Sequence, residues 1–216
     1  MPSPWLPVMI LVIVGIVFAM LTRRVAHRIG HSPNSFGAGD TAHDFVGRVY
    51  RVCGAILFIF LIARGIAPEI DTAAGLIQVL ARPAITWLGL AVMTWGGVAI
   101  LAAQAGIGAS WRIGLGQKRT GLVTSGLFAW SRNPTFLSMV AVVLGAFLVA
   151  PTAVTGIVLA VAWVTFSVQI RMEEEHLHRM HGRAYEAYRA AVPRWIGLPR
   201  SPARAPATQG QSVDRV

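Results

Sequence analysis

Two polar stretches carry the residue types that could do chemistry: Ser131-Arg132-Asn133-Pro134 and Glu173-Glu174-Glu175. An arginine presents a planar fork of donors that suits a carboxylate, and a cluster of carboxylates suits a cation. Side by side they would hold a small zwitterionic or cationic molecule. They lie far apart in sequence, so the chain path must bring them together. The residues between them are almost wholly apolar and are broken at Pro151. Two membrane-crossing lengths with a turn at the proline return the chain to the side it left. Both stretches then stand at the feet of one hairpin.

The elements that position them follow from composition. The chain has 216 residues, 55% hydrophobic and only 13% charged, which describes a polytopic membrane protein rather than one or two soluble domains. Five apolar runs stand out: Trp5–Leu21, Val49–Ala67, Pro83–Gln104, Pro134–Ala150 and Thr152–Ile170. Each is about 17–22 residues, enough to cross a hydrocarbon core of roughly 30 Å as a helix rising about 1.5 Å per residue. Helices satisfy their own backbone in lipid, so the expected fold is all-α. Met1–Met20 lacks a basic leader, and Arg23-Arg24 stand where a small-residue cleavage site would be, so it reads as a retained first span.

The 19 basic and nine acidic residues give a formal charge of +10. Their placement explains them without nucleic acid. With the N-terminus outside, almost every Arg and Lys falls on the cytoplasmic side, as the positive-inside rule requires. Arg64 and Arg82 are the exceptions, near a loop that also holds Glu69 and Asp71. The expectation is a five-span bundle, N-out and C-in, in contact with membrane lipids. Its parts are three spans and a polar loop (1–104), a region containing the hairpin (105–198) and a disordered tail (199–216). Cys53 lies in an apolar run, where it reads as a small core residue.

Other motifs have plainer readings. Thr22–Arg48, with His27, His31 and His43 at irregular spacing among turn signals, reads as a solvated loop. The glycine-rich segment 105–131 has neither the strand context of a dinucleotide fingerprint nor phosphate-loop spacing. Its glycines permit close backbone approach to a ligand or a helix. Asn133 and Pro134 read as an N-cap and first helical residue, whose free N–H groups favour an anion. Glu173, Glu174 and Glu175 hold a third of the acidic residues at one point. They oppose the dipole of the preceding span unless the helix continues or they bind something. Glu175, His176 and His178 do not have the i, i+4 spacing of helical zinc sites, so no metal is expected. Trp5, Trp87, Trp111, Trp130 and Trp195 fit an aromatic belt.

The order of these features resembles one family. Leu122-Val123-Thr124-Ser125-Gly126-Leu127-Phe128 followed by Ser131-Arg132-Asn133-Pro134-Thr135-Phe136 resembles the "LVTxGPY…RHPxY" stretch of the isoprenylcysteine carboxyl methyltransferase and phospholipid methyltransferase superfamily. After the hairpin, Glu173-Glu174 with Leu177 is similar to that superfamily's EExxL. Gly182, Tyr185, Tyr188 and Val192-Pro193-Arg194 follow in the register of "FGxxYxxYxxxVPR". The departures are Asn133 for the commoner His, Phe136 for Tyr, Leu127 for Pro and His181 for Phe.

The resemblance implies an integral-membrane methyltransferase using S-adenosylmethionine, with a lipophilic or small acceptor. It implies Arg132 and Glu174 as catalytic residues. It implies a cofactor site of Leu122, Val123, Gly126, Arg132, Asn133, Pro134, Phe136, Glu173 and Glu174. Arg132 and the helix start at Pro134 would hold the cofactor's carboxylate, Glu173 or Glu174 its ammonium or ribose, and Leu122–Gly126 its adenine. A bacterial inner membrane, with the site on the cytoplasmic face, is the expected location. The alternatives are phospholipid N-methylation and a non-catalytic scaffold or transporter that keeps the fold. The near absence of mid-span charge disfavours an ion carrier.

Overall fold

The computed structural model describes residues 2–30, 39, 41–107 and 121–198. Seven α-helices follow one another: α1 Leu6–Ile29, α2 Ala42–Ile66, α3 Ile70–Ala73, α4 Pro83–Ile107, α5 Pro134–Val149, α6 Ala153–His181 and α7 Arg183–Ala191. One turn of 3₁₀ helix, Gly126–Ala129, precedes α5. Four helices, α1, α2, α4 and α6, are long and apolar enough to cross a membrane. The expected fifth span, α5, is apolar but has only 16 residues, about 24 Å of helix.

Large apolar side chains point away from the bundle, among them Ile13, Ile59, Trp95 and Val164. Outward apolar surface on helices of this length suits lipid as solvent. Inside, Leu57, Leu61, Met93, Ile100, Val142, Ala146 and Val158 form the core. The α4–α5 contact is the closest. A Cβ on Gly89 would lie 2.7 Å from Gly145 O, and one on Gly145 would lie 2.6 Å from Gly89 O. Only glycine at these two positions allows that backbone approach.

The α5–α6 turn is pinned to the α2–α4 connection. Ile77 N donates to Pro151 O at 2.7 Å, and Ala153 N donates to Gly75 O at 3.0 Å. Arg64 pairs with Asp71 at 2.8 Å in that connection, joining two of the four charges expected there. At the opposite end, α6 runs well past the apolar stretch that ends at Ile170. The helix continues to His181, so Glu173–Glu175 are not at its terminus. Its last turn carries His178, Arg179 and His181, which complement the dipole. Gly182, with φ 50°, turns the chain into α7.

Two expectations change here. The polar loop expected at Thr22–Arg48 is largely helix in its described parts, because α1 extends to Ile29 and α2 begins at Ala42. Thr41 caps α2, accepting from Asp44 N at 3.1 Å, and its hydroxyl donates to Asp44 Oδ2 at 2.8 Å. That turn buries His43 and Asp44, so His43 is not a solvated loop residue, whereas His27 is exposed. His31, Trp111, the centre of the glycine-rich segment and the tail 199–216 lie outside the described residues.

Candidate active site

Glu174 is the centre on which three chain segments converge. It is 7% exposed and lies on α6 beyond the apolar stretch. Its Oε1 accepts from Asn133 Nδ2 at 3.0 Å and from Arg194 Nε at 3.1 Å. Its Oε2 accepts from Arg194 Nη2 at 2.9 Å. Arg132 Nη2 stands 3.4 Å from Oε1. Burial opposes the charge on this carboxylate. The Arg194 hydrogen bonds, the Arg132 charge and the Asn133 amide outweigh it and hold the carboxyl below the usual carboxylate range.

The backbone explains why these groups meet. Pro134 starts α5, as its fixed φ favours. Asn133 occupies the N-cap position but its side chain makes no cap bond, which corrects the sequence expectation. Its amide donates instead to Glu174 and to Arg194 O, the latter at 3.2 Å. Donation from Nδ2 to an ionised carboxylate is a strong bond and fixes the orientation of the amide. Ser131 Oγ accepts from Asn133 N at 3.0 Å and donates to Arg194 O at 3.3 Å. Arg132 N donates to Pro193 O at 3.0 Å, and Gly197 N donates to Trp130 O at 3.2 Å. The segment after α7 is thereby stitched along the start of α5. Trp195, stacked on Trp163 of α6 at 4.7 Å between ring centres, fastens it further.

Arg132 is the group with capacity left over. Its side chain is 8% exposed, yet Nε and Nη1 have no hydrogen-bond partner among the described residues. Buried donors without acceptors are costly, about 1–3 kcal/mol each, and two on one guanidinium could serve an anion.

The remaining expected residues surround this centre at different distances. Glu173 is half-buried and accepts from Gln169 Nε2 at 3.3 Å. Leu122 packs on Tyr185, Tyr188 and Val192 of the α7 region. Tyr188 Oη donates to Phe128 O at 2.7 Å, holding the 3₁₀ turn to α7. Gly126 opens that turn with φ 62°, and Val123 lies half-buried before it. Phe136 stacks at 5.7 Å on Phe166 of α6, and Phe166 also meets Tyr50 of α2. Glu175 pairs with Arg179, and His178 meets Glu186 at 2.9 Å; both pairs are exposed. Arg194 is the residue that sequence reasoning did not place in the site. Its signal was present as the last residue of Val192-Pro193-Arg194.

Residues 84–184 match the family model of the phospholipid methyltransferases. A protein-S-isoprenylcysteine O-methyltransferase from Schizosaccharomyces pombe is 35% identical over 78 residues, which are 36% of this chain and 33% of that protein. The chain thus spans about a third of the length of that curated relative. The solved structure of a eukaryotic intramembrane Ras methyltransferase, an isoprenylcysteine carboxyl methyltransferase, shares the fold with a TM-score of 0.54 and 21% identity. The match covers 69% of this chain and 52% of that one.

Proposed function

We propose that this chain, whose residues 84–184 match the phospholipid methyltransferase family model, is an S-adenosylmethionine-dependent membrane methyltransferase. Its acceptor is lipophilic or small, and its site lies on the cytoplasmic face. The observation that carries this reading is the Arg132 guanidinium, buried with Nε and Nη1 unmatched beside the start of α5. That is the donor set a cofactor carboxylate needs, and the helix N-terminus adds to it.

When bound, the cofactor supplies an electrophilic sulfonium methyl. The chain's own residues bind, orient and exclude water. Arg132 takes the carboxylate. Glu174, with its acceptor capacity spent on Asn133, Arg132 and Arg194, holds Arg132 at the right place. Glu173, half-buried one residue before it and accepting from Gln169, takes the ammonium or ribose. Leu122, Val123 and Gly126 frame the adenine from the segment that α7 pins, and Asn133 and Pro134 form the floor. Phe136 and Phe166 form the apolar wall facing the lipid-borne acceptor. Alignment and dehydration then supply most of the rate.

Calorimetric titration of the detergent-solubilised protein with S-adenosylhomocysteine tests the reading. Saturable binding is expected, weakened at least tenfold in Arg132→Ala. Absence of saturable binding in folded protein would sink the cofactor assignment. An unchanged affinity in Arg132→Ala would move the carboxylate elsewhere. Phospholipid N-methylation is the second reading, favoured by the description of the matching family, and product analysis with phospholipid and small-molecule acceptors separates the two.

A further inference from the structure

A second site lies against α6 and α7, on the surface of the Glu174 network. A cavity of about 230 Å³ is lined there by Arg171, Tyr185 and Arg189, together with Glu174, Glu175, His178 and Arg194. Arg132 does not line it. The cavity's acidic groups are already matched. Glu174 holds Arg194 and Arg132, and Glu175 holds Arg179. His178 meets Glu186.

Two of its donors, Tyr185 and Arg189, are not matched among the described residues. Tyr185 is 1% exposed, and its Oη has no hydrogen-bond partner there. Burial, then the charge of Glu174, pushes that phenol up to about 12, so it is a donor at any working pH. Arg132, Arg189 and Arg194 stand within electrostatic reach of the same hydroxyl, against the one carboxylate. Arg189 is exposed and makes no ion pair among the described residues. Arg171 spends one Nη on Ser167 O at 2.7 Å. A buried hydroxyl donor beneath two surface guanidiniums, with the nearby carboxylates neutralised, selects an anion with several acceptor oxygens.

We propose that this cavity binds a phosphate group, from a lipid headgroup or from free phosphate, accepting from Tyr185 Oη and Arg189 with Arg171 beside it. The cavity shares Glu174 and Arg194 with the network that holds Arg132, so the experiment below includes an arm that separates it from the cofactor pocket. An α6–α7 corner at the membrane edge, where basic side chains meet anionic headgroups, is a natural place for it.

The test uses the full chain in detergent. It is titrated with inorganic phosphate, with a short-chain phosphatidylglycerol below its micellar concentration, and with the matching diacylglycerol, which has no phosphate. The expected result is saturable binding of a phosphate-bearing probe and none of diacylglycerol. Affinity should fall about tenfold in Arg189→Gln and about fivefold in Tyr185→Phe. Affinity for S-adenosylhomocysteine should be unchanged in Arg189→Gln. Because Arg189 is exposed, that variant folds even if Tyr185→Phe does not. Binding of the lipid alone assigns the headgroup as source, and equal binding of inorganic phosphate assigns the free anion. The proposal is overturned if no phosphate probe saturates or if binding ignores Arg189→Gln. It is also overturned if Arg189→Gln weakens S-adenosylhomocysteine by the same factor, because the cavity would then be part of the cofactor site.

Discussion

The two ends of the α5–α6 hairpin are both buried and polar, and they differ in what they leave unsatisfied. At the Pro151 end, Thr152 and Thr155 are 0% and 1% exposed. They form a reciprocal capping box, with Thr155 N donating to Thr152 Oγ1 and Thr152 N to Thr155 Oγ1, each at 3.2 Å. The Thr155 hydroxyl also donates to Ala150 O at 2.6 Å. Every group there is neutral and partnered within the chain. At the other end, Glu174 is ringed by two guanidiniums and an amide, and donors on Arg132 and Tyr185 are left open. A closed neutral cluster terminates a hairpin, whereas an open charged one keeps donors that an anion could satisfy.

That contrast is testable by substitution at each end. The largest effect is expected from Glu174→Gln, which keeps the shape but leaves Arg132 buried without a counter-charge. Loss of one partner from a buried pair costs about 3 kcal/mol, read as a lower melting temperature in detergent and a loss of S-adenosylhomocysteine binding. The same interaction predicts the pH response. The carboxyl of Glu174 is held below its ordinary 4.5, so its stabilisation is present above that value and disappears as pH falls through the lowered one. Wild-type protein should therefore lose stability below pH 4.5, and Glu174→Gln should lose less. A wild-type curve no steeper than the variant's would refute the ionised network.

Thr155→Val should cost about 1.5 kcal/mol, because it removes the hydroxyl's bonds to the Thr152 N–H and the Ala150 carbonyl and leaves those two groups only each other in a buried turn. Its affinity for S-adenosylhomocysteine should match wild type, and a parallel loss of binding would erase the distinction between the two ends. Tyr188→Phe removes only the bond to Phe128 O and should cost about 1 kcal/mol. Proteolysis of the 121–130 segment should accelerate in that variant without global unfolding, since Tyr188 is what ties it to α7.

Much of the architecture was legible in residue order. Pro134 as a helix start, a break at Gly182, a turn at Pro151 and the buried i, i+3 pair Tyr185 and Tyr188 are local signals, and they hold in the structure. The failures are where a distant partner outcompetes a local one. Asn133 has the residue type of an N-cap, but Glu174 and Arg194 claim its amide. His43 has the company of a solvated loop, but the Thr41 cap extends α2 and packs the histidine near Gln169 of α6. Val192-Pro193-Arg194 marked Arg194 but did not give its role, because nothing local indicates that the segment after α7 returns along Ser131–Asn133.

Sequence by itself determined the long apolar helices and the motif order that resembles the methyltransferase superfamily. Each rests on periodicity, length or residue type, which are properties of short stretches. Only the tertiary structure decided which charges neutralise one another and which are left over. Glu174, one of three equivalent-looking glutamates, is buried among Asn133, Arg132 and Arg194, while Glu175 is spent on an exposed pair with Arg179. The open donors of Arg132 and Tyr185 exist only because burial has removed water and no other side chain reaches them. Unsatisfied valence is a property of the packed molecule, and it is what marks both proposed binding sites.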